Sequence, residues 1–78
     1  MDLSSAVRKR IVNLLNKNNM SMWTLFKASG VPMSTLSYFM SGKRVLINLT
    51  TLLHICEGFD ITLKEFFNDP LFDDVEQN

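Results

Sequence analysis

One short segment of the chain brings hydroxyl groups, a phenol and positive charge together at helical spacing. On a helix over 33–40 one face is polar, and a lysine and an arginine follow the glycine that ends it. Hydroxyl and phenol groups donate and accept hydrogen bonds, whereas lysine and arginine pair with anionic oxygens. A surface with both properties suits a phosphate backbone and the base edges between the phosphates. The composition of this segment therefore predicts that it contacts a nucleic acid.

The predicted contacts with the nucleic acid fall into two groups of residues. Base contacts are predicted on the outward face of the helix, at Met33, Ser34, Ser37 and Tyr38. Phosphate contacts are predicted before, within and after it, at Ser21, Met22, Lys27, Thr35, Lys43 and Arg44. Ser21 also caps a helix, Met22 contributes its backbone amide, and Thr35 has a packing or phosphate role rather than a base contact. The alternative for the cations is that they only keep the surface soluble.

Five helices are predicted to position this surface, and no strand pattern is present. The predicted spans are 4–17, 22–28, 33–40, 49–57 and a short fifth helix that Thr62 and Glu65 begin with a capping box. Gly30 ends the second helix in the left-handed conformation, and Pro32 begins the third. Helical spacing predicts that the fourth helix buries Leu49, Leu52, Leu53 and Cys56. The fold class is therefore all-α, with a helix-turn-helix formed by the second and third helices.

Length and charge indicate one domain with an acidic tail. The 78 residues fit one small domain, assigned to 1–72, and we expect the acidic segment 73–78 to be flexible. The formal net charge is zero, but all eight lysines and arginines lie in the first 67 residues with only four of the eight acids. The total of zero therefore hides a mildly basic body and an acidic end.

The sequence lacks the residues that several classes of function require. Cys56 is the single cysteine, which excludes an internal disulfide and favours a reducing compartment. No apolar run reaches the length of a membrane span, and the N-terminus has no signal-peptide pattern. His54 and Cys56 point in different directions on a helix and cannot share a metal ion. We therefore expect a cytoplasmic protein that is not an enzyme and uses no metal, cofactor, membrane or small-molecule ligand.

The order and spacing of these features resemble the Cro and phage-repressor type of helix-turn-helix protein, the XRE family. The resemblance covers about residues 7–67 and rests on Ile11, Leu14, 20–21, Leu25, 28–31, 34–37, 42–43, 49–56 and 63–67. It implies a five-helix lambda-repressor-like domain that binds operator DNA as a transcriptional regulator, commonly a repressor. It also implies a two-fold homodimer, for which the double-stranded DNA target is an inverted repeat.

Three positions depart from the family's pattern. Met22 stands where the family commonly has a glutamine whose side chain contacts a phosphate, so that hydrogen bond is lost. Leu15 and Met40 stand where it commonly has an arginine and a glutamate that pair across the core. Because both partners of the pair are replaced by apolar side chains, the change is tolerable, and we predict that Leu15 and Met40 touch.

Three further points stay open in the sequence. Trp23 either packs at the edge of the core, which we favour, or lies against DNA. The dimer surface is predicted on the fifth helix with Leu71 and Phe72. The alternative function is a protein-interaction module of the same fold with lost or weak DNA binding, possible because the helix over 33–40 carries no cation. In that case we expect the acidic tail to mimic phosphate, to bind a partner, or to fold over the basic face as an autoinhibitor that regulates the module.

Overall fold

The computed structural model describes residues 1–76 and folds them into five α-helices and a closing 3₁₀ turn. The helices are α1 (Leu3–Lys17), α2 (Met22–Ser29), α3 (Met33–Met40), α4 (Leu49–Gly58) and α5 (Leu63–Phe67), and the 3₁₀ turn is Pro70–Phe72. The only β-type pairing among these residues is an isolated bridge between Asp2 and Glu76. The prediction of an all-α fold is confirmed.

Polar side chains cap the starts of α1, α4 and α5. The Asp2 carboxylate accepts a hydrogen bond from the amide of Ser5 at 2.8 Å. Hydrogen bonds from the backbone and the side chain of Ser5 hold the pKa of Asp2 below its usual value. Asn48 Oδ1 accepts from the amide of Thr51 at 2.7 Å at the start of α4. Thr62 and Glu65 form the predicted capping box at the start of α5. Each cap satisfies an amide that has no partner within its own helix.

The turn between α2 and α3 depends on Gly30 and Pro32. Gly30 adopts a φ of 74°, a left-handed conformation that side chains with a Cβ rarely adopt. Its amide donates to Phe26 O at 2.9 Å and closes α2. Pro32, with φ −54°, then stands at the N-cap of α3. Two short helices joined by a tight turn result, as the spacing predicts.

The core lies between the helices, and α2 packs mainly against α4. A Cβ added at Gly58 would lie 3.0 Å from Ser29 Cβ, so the end of α4 needs a glycine to approach α2 this closely. The core residues come from every helix and from the α2–α3 and α4–α5 connections. They are Val7, Ile11, Leu14, Leu15, Leu25, Val31, Leu36, Phe39, Leu52, Ile55, Cys56, Phe59 and Phe66.

The buried face of α4 differs from the predicted one. Leu52 and Cys56 are buried as predicted, but Leu49 is 76% exposed and Leu53 is 41% exposed. Ile55 is fully buried in their place. The prediction for Leu49 and Leu53 is wrong because α4 carries apolar residues on two faces, and helical spacing alone fits either face to the core. The second face therefore stays open to solvent.

Arg10 joins α1 to the end of α5. Its Nε donates to Phe66 O at 2.8 Å, and Nη2 donates to Glu65 O at 2.9 Å. Its Nη1 forms an ion pair with Asp69 Oδ2 at 3.2 Å. Carbonyls at the end of a short helix have no helical partner, so this guanidinium completes α5.

The chain after α5 packs back onto the domain. The Phe72 ring lies 4.9 Å from that of Phe67 and 6.0 Å from that of Phe66, between centroids. Phe72 is therefore engaged within its own chain, which leaves less of the predicted dimer surface on α5. The amide of Glu76 donates to Met1 O, and the amide of Leu3 donates to Glu76 O, each at 3.2 Å. These bonds tie the acidic segment 73–76 to the N-terminus, whereas 77–78 lie outside the described residues.

Candidate nucleic-acid interface

Helix α3 turns its polar side to solvent. Leu36 and Phe39 are only 2% and 1% exposed, whereas Ser34, Ser37 and Tyr38 are exposed. Met33, at the first turn of α3, is half-buried. Because α3 is anchored by the two apolar side chains, its hydroxyl and phenol groups form a fixed, accessible surface.

The loop after α3 returns to this surface and brings two cations to it. The amide of Arg44 donates to Tyr38 O at 2.9 Å, which folds the loop against the end of α3. Lys43 Nζ lies 5.5 Å from the centroid of the Tyr38 ring, within cation–π range. Lys43 and Arg44 are both exposed. The ammonium group of Lys43 therefore lies beside the phenol ring of Tyr38.

The start of α2 supplies a second group of predicted contacts. Ser21 Oγ accepts from the amide of Thr24 at 3.1 Å, so its predicted cap is present. Ser21 and Lys27 are exposed, and Met22 is half-buried and packs against the core. The remaining free amides of this first turn are suited to anions, as at other helix N-termini.

Thr35 lies apart from the outward face of α3. It lines a cavity of about 370 Å³ between α3 and α4, together with Phe39, Arg44, Leu46, Ile47, Asn48 and Thr51. Thr35 is half-buried and lines this cavity together with Arg44, which is compatible with packing. This position agrees with separating it from the base-contacting group.

A comparison with known protein families identifies the domain that carries this surface. A family model for the Cro/C1-type helix-turn-helix DNA-binding domain matches residues 10–70. The chain belongs to this family. No curated protein and no solved structure matches it. Because this family is one of DNA-binding domains, the match supports DNA as the partner of this Cro/C1-type domain.

Two α1 residues hold the end of α3 and the loop that follows it in this Cro/C1-type domain. Arg8 Nε donates to Phe39 O at 2.6 Å, and its guanidinium lies 4.8 Å from the centroid of the Phe39 ring. Ser4 Oγ donates to Val45 O at 2.7 Å. Neither Arg8 nor Ser4 is among the predicted site residues. Their partners lie 31 and 41 positions away along the chain, and contacts over such separations leave no local pattern in the sequence. The one local signal is that positions 4 and 8 share a face of α1.

Arg8→Met is expected to lower the free energy of unfolding by about 1–2 kcal/mol, because Phe39 O then loses its charged donor. Urea denaturation followed by circular dichroism measures this loss. Lys9→Met is the matched control, since it removes the same charge from an exposed neighbour on α1. Equal stability of the two variants would contradict the role of Arg8.

Trp23 is not a core residue of this Cro/C1-type domain. Its side chain is 58% exposed, and its ring lies 5.2 Å from that of Phe26 at an angle of 46°. The favoured prediction of core packing is wrong, because Leu25 takes the buried position in this turn of α2. The indole instead lies in the same turn as the Ser21 cap, beside the predicted phosphate contacts.

The fluorescence of Trp23, the single tryptophan, is expected to be that of an exposed indole in the free protein. Iodide is expected to quench it, and a saturating DNA duplex is expected to protect it. A titration at low salt measures both effects. An indole that iodide fails to quench in the free protein would contradict the exposed position, and unchanged quenching with DNA bound would contradict a place at the interface.

Leu15 and Met40 belong to one apolar region. Leu15 is 8% exposed within the core, and Met40 is half-buried and packs against the core. The positions where the family commonly has a charged pair are therefore both apolar here. Their direct contact stays a prediction.

The described part of the chain offers little for other chemistry. No group of three or more His, Cys, Asp and Glu residues suited to a metal is present in residues 1–76. Cys56 is buried, and its burial raises the pKa of the thiol, while His54 Nδ1 lies 2.9 Å from Glu57 Oε1. In the same residues, no helix is long and apolar enough to cross a membrane.

Proposed function

We propose that this chain is a sequence-specific transcriptional regulator that occupies operator DNA by inserting α3 into the major groove. The observation that carries the proposal is the exposed polar side of α3 with Lys43 and Arg44 beside it. A helix of this kind contacts base edges, while the flanking cations and amides bind phosphates. A regulator of this kind acts in the cytoplasm and needs no catalytic step.

Direct contact with bases is proposed for Met33, Ser34, Ser37 and Tyr38. Hydroxyl groups both donate and accept, so they discriminate weakly between bases, whereas the Met33 side chain suits a thymine methyl group. Helix α3 contains no arginine, asparagine or glutamine, the residues that bind a base through two hydrogen bonds. We therefore propose that the shape and flexibility of the operator supply part of the specificity.

Phosphate contacts are proposed on both sides of α3. On one side are Ser21, the amide of Met22 and Lys27, and on the other are Lys43 and Arg44, with Thr35 beside Arg44. Contacts to both strands of the backbone fix the helix in its groove without selecting a sequence. A single domain of this size buries about 600–1,000 Å² on DNA, so we propose that two copies bind an inverted repeat.

Selection of bound sites from a pool of random duplexes tests this proposal. We expect an enriched sequence with two-fold symmetry and half-sites spaced by about one helical turn. A titration with unselected duplex at low salt is expected to show weaker, strongly salt-dependent binding. Absence of both kinds of binding would overturn the proposal.

The second candidate is the protein-interaction module with weakened DNA binding. The cation-free α3 and the loss of the glutamine at Met22 favour it. Regulation by a tail that covers α3 receives less support, because Glu76 hydrogen-bonds to Met1 and Leu3 at the N-terminus. Failure of the protein to bind any duplex at low salt would favour this candidate over the first.

A further inference from the structure

The loop that carries Lys43 and Arg44 is held by backbone hydrogen bonds rather than by burial. Residues 41–46 are all exposed, and the apolar Val45 among them is 50% exposed, so side chains in this stretch do not anchor it to the core. The amide of Arg44 donates to Tyr38 O at 2.9 Å. Two further hydrogen bonds come from α1 and hold the consecutive carbonyls of Arg44 and Val45. The position of the two cations therefore depends on polar contacts with α1 and α3.

Arg8 lies between the buried end of α3 and this loop. Its Nε donates to Phe39 O at 2.6 Å, and its guanidinium carbon lies 4.8 Å from the centroid of the Phe39 ring. Because Phe39 is 1% exposed, the core fixes this part of the contact. Nη2 of Arg8 donates a longer hydrogen bond, of 3.4 Å, to the carbonyl of Arg44. One planar guanidinium, with donors in a fixed fork, thereby joins the rigid part of α3 to the loop.

Ser4 makes the shorter hydrogen bond to the loop. Its Oγ donates to Val45 O at 2.7 Å, and the residue is 6% exposed. Ser4 lies one helical turn before Arg8, so both side chains leave the same face of α1. The carbonyl side of the loop therefore faces α1, while the side chains of Lys43 and Arg44 are exposed.

We propose that Arg8 and Ser4 are positioning residues for DNA binding, which act by holding Lys43 and Arg44 beside the end of α3. This role rests on the proposed function of the two cations as phosphate contacts. A loop that is already ordered in the free protein loses less conformational freedom on binding, so its cations bind phosphates more tightly. Helix α1, which lies outside the helix-turn-helix, thereby contributes to the affinity for DNA.

Arg8 acts through the loop and not as a phosphate ligand. Two of its nitrogen atoms donate to protein carbonyls and its side chain is half-buried, whereas Lys43 and Arg44 are exposed. A direct contact of Arg8 with a phosphate would add to the contacts of the two loop cations. A positioning residue has an effect only while those cations are present, so the two roles differ in additivity.

Fluorescence anisotropy of a labelled, unselected duplex at low salt measures the effect on affinity, at a temperature where circular dichroism shows every variant folded. Arg8→Met is expected to bind about 10-fold more weakly than Lys9→Met, which removes the same charge from an exposed site on α1. Ser4→Ala and Arg8→Lys leave the net charge unchanged, and each is expected to lose about threefold in affinity because each weakens one contact with the loop. Equal affinity of Arg8→Met and Lys9→Met would overturn the proposal.

Combination with Lys43→Gln/Arg44→Gln separates positioning from direct contact. In that background Arg8→Met is expected to weaken binding no more than Lys9→Met does, and Ser4→Ala is expected to have no effect. A loss of about 10-fold from Arg8→Met that persists without the two loop cations would mean that Arg8 binds a phosphate itself, and the positioning role would be wrong.

Hydrogen exchange in the free protein separates this proposal from the proposed function. The amide of Arg44 is expected to exchange about 10-fold faster in Ser4→Ala and in Arg8→Met, because the loop then opens more often. The amide of Gly30, which is hydrogen-bonded in the turn between α2 and α3, is the control for a general loss of stability. Unchanged exchange at Arg44 relative to Gly30 would overturn the positioning role and leave the proposed function standing. Faster exchange at Arg44 in a protein whose wild type binds no duplex would instead overturn the proposed function.

Discussion

Replacing Arg10 by methionine is expected to lower the free energy of unfolding by about 2–3 kcal/mol. The guanidinium donates to two carbonyls at the end of α5, 2.8 and 2.9 Å away, and pairs with Asp69 at 3.2 Å. Its side chain is only 15% exposed, so water replaces few of these bonds when it is removed. Methionine retains the length of the aliphatic stem, so the change tests the hydrogen bonds rather than the packing. For a domain of this size the midpoint of thermal unfolding is expected to fall by roughly 10–20 °C.

Two comparisons make this result specific to Arg10. Lys9→Met removes the same charge from an exposed position on the same helix and is expected to change stability by less than about 0.5 kcal/mol. Asp69→Asn removes the ion pair but leaves both carbonyl bonds of Arg10, so an intermediate loss is expected. Urea denaturation of the three variants measures the order. A variant Arg10→Met as stable as Lys9→Met would contradict the role of Arg10 in closing α5.

The helices and the turn between α2 and α3 are predictable because local chemistry determines them. Ser21 caps α2 by accepting a hydrogen bond from the amide three residues later. The side chains of Thr62 and Glu65 each accept a hydrogen bond from the other residue's amide within one turn. Gly30 ends α2 because few other residues adopt its positive φ. Each of these features depends on neighbours within a few positions, so the sequence displays them directly.

The interior arrangement is less predictable because it depends on distant partners. Arg10 and Arg8 appear as two basic residues in a cluster, and nothing nearby distinguishes the carbonyls of α5 and α3 that they bind. Leu49 and Leu53 fit the helical period of a buried face as well as Ile55 does. Only the position of α2 against α4 decides which side enters the core.

The same distinction between local and distant causes applies to the candidate site. The exposure of Ser34, Ser37 and Tyr38 follows from the burial of Leu36 and Phe39 on the other side of a short helix. The contact between Lys43 and the Tyr38 ring depends on a loop that returns to α3, which the sequence does not specify. The roles of these residues on DNA stay predictions, and binding measurements on variants decide them.

The double variant Lys43→Gln/Arg44→Gln is expected to bind duplex DNA about 50-fold more weakly than the wild-type protein at about 0.1 M salt. Each cation that neutralises a phosphate releases a counterion, so losing two is expected to reduce the slope of log K against log salt by about 1.8. The loss is expected on specific and unselected sequences alike, because phosphate contacts carry no sequence information. Fluorescence anisotropy of a labelled duplex at several salt concentrations measures the affinity and the slope together.

The double variant Lys9→Gln/Lys64→Gln is the control that separates the effect of where the charges lie from the effect of net charge. It removes the same two charges from exposed sites on α1 and α5, outside the predicted contacts. The long-range attraction of the protein for DNA falls equally in both variants, so only the direct phosphate contacts differ between them. We expect the control to lose less than about fivefold in affinity, with the salt slope changed by under one unit. Equal losses in the two variants would mean that Lys43 and Arg44 act through net charge alone, and the phosphate contacts beside Tyr38 would then be wrong.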